Sequence, residues 1–238
     1  MPLWLSLLAD MQNIEKTLTP RLRMIADLVP TCDTVCDIGT DHGYVAIYLA
    51  KKGIAQKVIA ADIKEGPLMQ AEKNIALYDA SGKVETRLSN GFEHIGQNEA
   101  DCAIIAGMGG ETIAEILQNE KGSKYYVLQM QTAHRDLREY LAENGFVIEK
   151  EAVAQEGRKM YTALLCTKGT PYTLTETEKE IGPLLIKDRP PLFAEYIKYR
   201  LFEIDSILER MGDVNSSPRK EHILFLKNEY ENLLKGEL

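Results

Sequence analysis

The sequence predicts an α/β protein: a parallel sheet covered by helices on both faces, followed by a C-terminal pair of helices. Three observations carry that prediction. Short apolar runs alternate with helical stretches between Thr34 and Asn144. The runs are apolar throughout rather than at every second residue, as expected of strands buried on both faces. The β pattern then stops after Gly169 and Pro171, giving way to helical spacing. A length of 238 residues fits one sizeable domain and a smaller remainder.

The elements follow in order. Thr19 can cap a helix whose first position is Pro20, with Leu22, Ile25, Ala26 and Val29 on one face and Pro30 as its stop. Strands are predicted over Thr34–Ile38, Val58–Asp62, Val84–Leu88, Cys102–Ala106 and Tyr126–Met130, with helices over Tyr44–Lys52, Pro67–Tyr78, Gly110–Gln118 and Arg135–Asn144. Phe146–Ala154 and Lys159–Thr167 read as a hairpin around Gln155–Arg158, closing one edge of the sheet. Pro190-Pro191 then opens a helix with Ile197, Leu201, Ile204, Leu208 and Met211 on one stripe. After turn formers from Gly212 to Pro218, Ile223, Leu226, Tyr230 and Leu233 continue at the same spacing. Two such helices predict an antiparallel coiled-coil hairpin; the alternative is two helices packed onto the main domain. The expected division is an extension over 1–18, a ligand-binding domain over 19–169 and a helical domain over 170–238. The opening PLWLSLLA is too short to span a bilayer and lacks the flanks of a secretory signal, so no membrane role is expected. Met11 is a possible alternative start.

Composition narrows the functions. With 28 Lys+Arg against 36 Asp+Glu, the formal net charge is -8, which argues against non-specific coating of nucleic acid but not against a local basic groove. Acidic residues also outnumber basic ones from Pro171 to Leu238, so the tail is not a basic arm. Arg21 and Arg23, Arg135 and Arg138, and Arg158-Lys159 would form a groove if all lay at one end of the strands. The four cysteines (Cys32, Cys36, Cys102, Cys166) form no CxxC pair and are expected as buried free thiols in a reducing, cytoplasmic setting, with no metal site.

Four strand ends carry ligand-like features. VCDIGTDHGY places Gly39 and Gly43 after the first strand, where α/β sheets bind ligands. Asp41 lies inside that turn and would repel a pyrophosphate, whereas Asp37 and Asp41 suit a cationic ligand. S-adenosylmethionine, with its sulfonium and ammonium groups, fits better than a nicotinamide dinucleotide. Asp62 ends the second strand, where an acidic residue can accept both ribose hydroxyls, or alternatively cap the helix from Lys64. Asn90-Gly91 ends the third strand, with an amide able to pair with an adenine edge. Gly107, Met108 and Gly109 end the fourth and permit close backbone approach to the ligand and an incoming nucleophile. His42 is a further ligand contact or helix cap, and Arg21 a candidate partner for a ligand carboxylate.

DIGTDHGY, AADIKEGPLMQAEKN, RLSNG and IAGMGGETIAEIL together resemble the bacterial tRNA (adenine22-N1)-methyltransferase family, from LTPRLRMIADLVP to about Gly169. The resemblance implies a class I methyltransferase Rossmann-like domain with a C-terminal coiled-coil domain, S-adenosylmethionine as cofactor and tRNA as partner. The implied reaction is methyl transfer to N1 of adenine. It implies cofactor contacts at Gly39, Asp41, His42, Gly43, Asp62, Asn90 and Gly91, with Gly107, Met108 and Gly109 facing the substrate. Two positions depart from the family: Asn90 stands where an acidic residue is usual, and Gln129-Met130-Gln131 where many members read QPN. Adenine N1 has an in-plane lone pair and needs no deprotonation, so no catalytic base is assigned. The target base must leave its stack, and Tyr44 and Tyr161 are candidates for the aromatic platform that receives it. The other classes compatible with these residues are a methyltransferase of other RNA or small molecules and a non-catalytic RNA-binding module. The oligomeric state is left open.

Overall fold

The computed structural model describes residues 13–211 and 217–236. The opening apolar stretch and most of the Gly212–Pro218 turn lie outside the described residues. Short helix α1 (Ile14–Thr17) and helix α2 (Pro20–Leu28) precede β1 (Cys32–Ile38), α3 (Tyr44–Lys52), β2 (Ala55–Asp62), α4 (Glu65–Leu77), β3 (Val84–Leu88), β4 (Cys102–Gly109), α5 (Gly110–Leu117), β5 (Tyr125–Thr132) and α6 (His134–Glu143). The antiparallel pair β6 (Phe146–Glu156) and β7 (Lys159–Lys168) follows. The chain ends in α7 (Glu176–Ile181), α8 (Pro183–Asp188), α9 (Phe193–Met211) and α10 (Pro218–Lys235).

The seven strands form one sheet in the order β3-β2-β1-β4-β5-β7-β6. The first five are parallel, and β7 joins β5 antiparallel. Burial on both faces explains the uninterrupted apolar runs. Val35, Ala60, Ile104 and Val127 enter one core with α2 and α3, while their chain neighbours Cys36, Ile59, Ile105 and Leu128 enter the other with α5 and α6. Cys36, Cys102 and Cys166 are buried, Cys32 is only half-buried, and all four are free. Burial pushes the Cys36 thiol up to about 12, which keeps it protonated and unreactive.

Differences from the sequence-based boundaries have local causes. β4 runs three residues further than Ala106 because Gly107, at φ +78°, absorbs a bulge against β5 and lets pairing resume at Met108. Helices α7 and α8 were not anticipated, each being six residues long and too short for a periodic signal. Their local signals are a capping box between Thr175 and Glu178 and Pro183 at the start of α8. The prolines at 190 and 191 lead into α9 rather than beginning it, the Pro190 carbonyl accepting from Phe193 N at 2.8 Å.

The two long helices run antiparallel. Lys227 Nζ meets Asp205 Oδ1 at 2.7 Å near one end, and Arg189 Nη1 donates to the Leu233 carbonyl at 3.2 Å near the other. Their apolar stripe, including Ile197, Ile204, Leu226, Tyr230 and Leu233, also contacts Ile181 and Leu185 of the short helices and Val153 and Met160 of the β6–β7 hairpin. The pair is therefore joined to the sheet edge by a continuous apolar cluster.

Candidate functional site

The strand ends surround a cavity of about 470 Å³. Its floor is the turn after β1. Gly39 N and Thr40 N both donate to the Ala61 carbonyl, at 2.8 and 2.9 Å, folding the turn over the end of β2. Gly39 and Gly43 take φ of +80° and +71°, and a Cβ on Gly39 would overlap the Met108 methyl. Both positions therefore require glycine. Gly43 forms the N-cap of α3, and its neighbour Tyr44 lines the cavity.

Three carboxylates line this space: Asp37, Asp41 and Asp62. Asp37 is buried, and its Oδ2 accepts only the Thr40 hydroxyl, at 2.8 Å. Burial pushes its pKa up to about 6, the Thr40 hydrogen bond opposes this, and the negative charge of Asp62 adds to it. Asp41 is exposed, with Oδ2 at 3.3 Å from His42 Nε2, and the His42 ring stacks on Tyr44 at 5.6 Å. Asp62 accepts from Lys64 N at 2.8 Å through Oδ1 and also borders the cavity. Asp62 is thus not the cap of α4, whose N-cap is Lys64 with no side-chain cap; its bond closes the turn ahead of the helix and engages one oxygen.

Arg21 and Lys64 bring positive charge to the same lining. Arg21, in the first turn of α2, lies 3.7 Å from where a Cβ on Gly107 would be. Its Nη1 donates to Gln129 Oε1 at 3.1 Å, and its guanidinium lies 5.7 Å from the centroid of the Tyr161 ring. Arg21 and the anticipated glycines thus face three carboxylates across one space. That combination suits a ligand with both a cationic and an anionic end.

Other anticipated residues lie elsewhere. Met108 is not in the cavity wall; it covers Gly39 from outside. Gly109 caps α5 beside Thr132. Asn90 and Gly91 follow β3, beside Asp62 in the sheet but beyond the cavity walls. Tyr161 belongs to a second cavity of about 320 Å³, which shares Gln131 with the first. The anticipated basic groove is not assembled as expected. Arg138 is 0% exposed and pairs with Glu151, Arg135 is held by Glu139 and Glu176, and Arg23 by Asp27. Arg158 and Lys159 at the β6–β7 turn are exposed.

The family model for a methyltransferase domain matches residues 18–164. The chain belongs to that family. The match runs from before α2 into β7 and takes in every residue lining the first cavity. Over 219 residues the chain is 27% identical to the tRNA (adenine(22)-N(1))-methyltransferase of Bacillus subtilis, covering 88% of this chain and 92% of that protein. Among solved structures, Sp1610 of Streptococcus pneumoniae in complex with S-adenosyl-L-methionine is 26% identical with a TM-score of 0.80, over 91% of this chain and 99% of that one. TrmK of M. capricolum, in complex with S-adenosyl-homocysteine, is 28% identical with a TM-score of 0.74, over 92% and 97%. In this methyltransferase, reading the sequence missed Lys64 and Gln131, which also line the first cavity. Gln131 lies in the Gln129-Met130-Gln131 stretch that departs from QPN, and its signal as a lining residue is its place just beyond the buried part of β5. Among the described residues no cluster suited to a metal occurs, and no helix is long and apolar enough to cross a membrane.

Proposed function

We propose that the protein is a cytoplasmic tRNA (adenine22-N1)-methyltransferase using S-adenosylmethionine. The observation that carries this reading is the extent of the likeness. The methyltransferase family match ends at 164, yet the match to the Bacillus subtilis enzyme covers 88% of the chain and so extends into the helical tail. On this reading the helical pair, as a domain over 170–238, grasps the tRNA.

The residues present fit the cofactor. Asp37 is a buried carboxylate with no cationic partner among the described residues, and a ligand cation supplies one. Asp37 and Asp41 face the ammonium and sulfonium end, Arg21 the methionine carboxylate, and the free oxygen of Asp62 a ribose hydroxyl. Gly39, Gly43, Gly107 and Met108 shape the close approach, His42 closes the outer wall, and Asn90-Gly91 meets the adenine edge from beyond Asp62. When bound, S-adenosylmethionine supplies an electrophilic methyl group. The chain's own task is to orient the target ring nitrogen and exclude water, for which positioning suffices. Tyr44, Gly109 and Tyr161 are assigned to the substrate side.

Incubation with labelled S-adenosylmethionine and unmodified tRNA transcripts, followed by mapping of the labelled base, tests the reading. Label is expected at N1 of adenine 22, and a transcript with guanine there should stay unlabelled. Label at another base, or none, overturns it. Asp62→Ala should abolish cofactor binding by calorimetry without unfolding the chain; unchanged affinity would refute the ribose assignment.

A further inference from the structure

The second cavity lies at the C-terminal end of β5, lined by Gln131, Thr132, His134, Tyr161, Tyr199 and Arg200 among others. Its volume of about 320 Å³ is at the small end of the range for organic ligands. Gln131 belongs to both cavities, and Arg21, in the wall of the first, lies over Tyr161 in the wall of the second. The two spaces are therefore adjacent, one with the features of a cofactor site and the other with aromatic walls.

His134 gives the second space its chemistry. It makes no hydrogen bond among the described residues, and neither ring nitrogen is sealed from solvent. Burial, with the guanidinium charges of Arg138 and Arg200, holds its pKa down to about 3, so the ring is neutral at physiological pH. A neutral imidazole offers one acceptor nitrogen and one donor. Arg200 is a donor only. Its fork is engaged by the Glu180 carboxylate at 2.9 Å and by the Glu180 carbonyl and Tyr196 hydroxyl, both at 3.2 Å. The nearby Glu203 carboxylate lies 3.2 Å from Arg200 Nε.

An adenine methylated at N1 must leave that nitrogen free, and of its remaining groups the 6-amino group and N7 are the ones that tell it from guanine on one edge. These form a donor–acceptor pair, whereas guanine presents two acceptors on the same edge. Resting on the reaction proposed above, we propose that this second cavity receives the extruded target adenine, that Tyr161 and Tyr199 flank the ring, and that His134 accepts a hydrogen bond from its 6-amino group. His134 is then a specificity-determining residue, and Gln131, at the junction, keeps N1 turned toward the methyl donor.

Two transcripts that differ only at the target position, carrying adenine or unsubstituted purine, test this by anisotropy titration in the presence of S-adenosylhomocysteine. The native protein is expected to prefer adenine by about tenfold, the effect of one hydrogen bond. His134→Ala should abolish the preference while leaving S-adenosylhomocysteine affinity unchanged by calorimetry, and His134→Gln should restore part of it. Absence of preference in the native protein, or loss of affinity for both transcripts alike in His134→Ala, overturns the proposal. Methyl transfer is scored separately. A native preference for adenine without methylation of it would leave the base pocket standing and defeat the reaction, whereas methylation without the preference would defeat the pocket alone.

Discussion

A buried carboxylate without a counter-charge works against the folded state, and Asp37 is such a group. Because its pKa is raised to about 6, the neutral acid persists well above the ordinary carboxylate range and is the major form below pH 6. Its contribution to stability is present in full below the ordinary carboxylate range and is lost as pH rises through 6, a difference on the order of 3 kcal/mol. A cationic ligand reverses the preference, since it binds the ionised form. Affinity for S-adenosylmethionine should therefore be about tenfold weaker at pH 5 than at pH 7.5 in calorimetric titrations, and Asp37→Asn should flatten the profile. A flat profile in the native protein would refute the assignment. Gly39 makes a second test. An alanine there would have to hold φ near +80° and displace the Met108 methyl. Gly39→Ala should weaken cofactor binding with little change in the circular dichroism of the fold. Both residues were legible in the sequence because turn chemistry is local. The unpartnered state of His134 was not, since it depends on what residues 138 and 200 do in three dimensions.

Among the elements, β6, α6 and the short helices share one fastening. Arg138 of α6 and Glu151 of β6 are both 0% exposed, with Nε and Oε1 3.0 Å apart. The same guanidinium donates to the carbonyls of Lys179, Glu180 and Ile181 at the end of α7, and Glu151 accepts from Leu184 N and Leu185 N at the start of α8. Removing one partner strands the other, so Glu151→Ala should lower unfolding free energy by about 3–5 kcal/mol in urea titrations. A Glu151→Leu, Arg138→Met pair should cost less than Glu151→Ala. Equal losses would show that the carbonyl contacts, not the ion pair, dominate. The Arg135/Arg138 spacing suggested a charged surface because sequence alone does not say which face of a helix meets another element. Here Glu151, thirteen residues away, decides it.

At the scale of the whole molecule, a net charge of -8 must still admit an RNA. With Arg135 and Arg138 engaged internally and the exposed Arg23 paired with Asp27, Arg158 and Lys159 at the β6–β7 turn are the anticipated basic residues most available to an RNA. Replacing Arg158 and Lys159 by alanine should weaken binding of all transcripts alike and reduce the slope of log affinity against log salt by about 1–2 in filter-binding assays. An unchanged slope would place the RNA elsewhere. The strand order, two-sided core and acidic first turn were readable from the chain because each follows from neighbours within a few residues. The second cavity was not, because its walls come from β5, the start of α6, β7 and α9, far apart in sequence. That assembly has a mechanical side. Arg138 fastens the tail to α6, and Arg200 fastens α9 to α7; burial first, and then these two guanidinium charges, keep a proton off His134. The tail therefore forms part of the surroundings that set the basicity of one imidazole, and a shift of that ring's nitrogen resonance on adding RNA is the expected sign that α9 moves against α6.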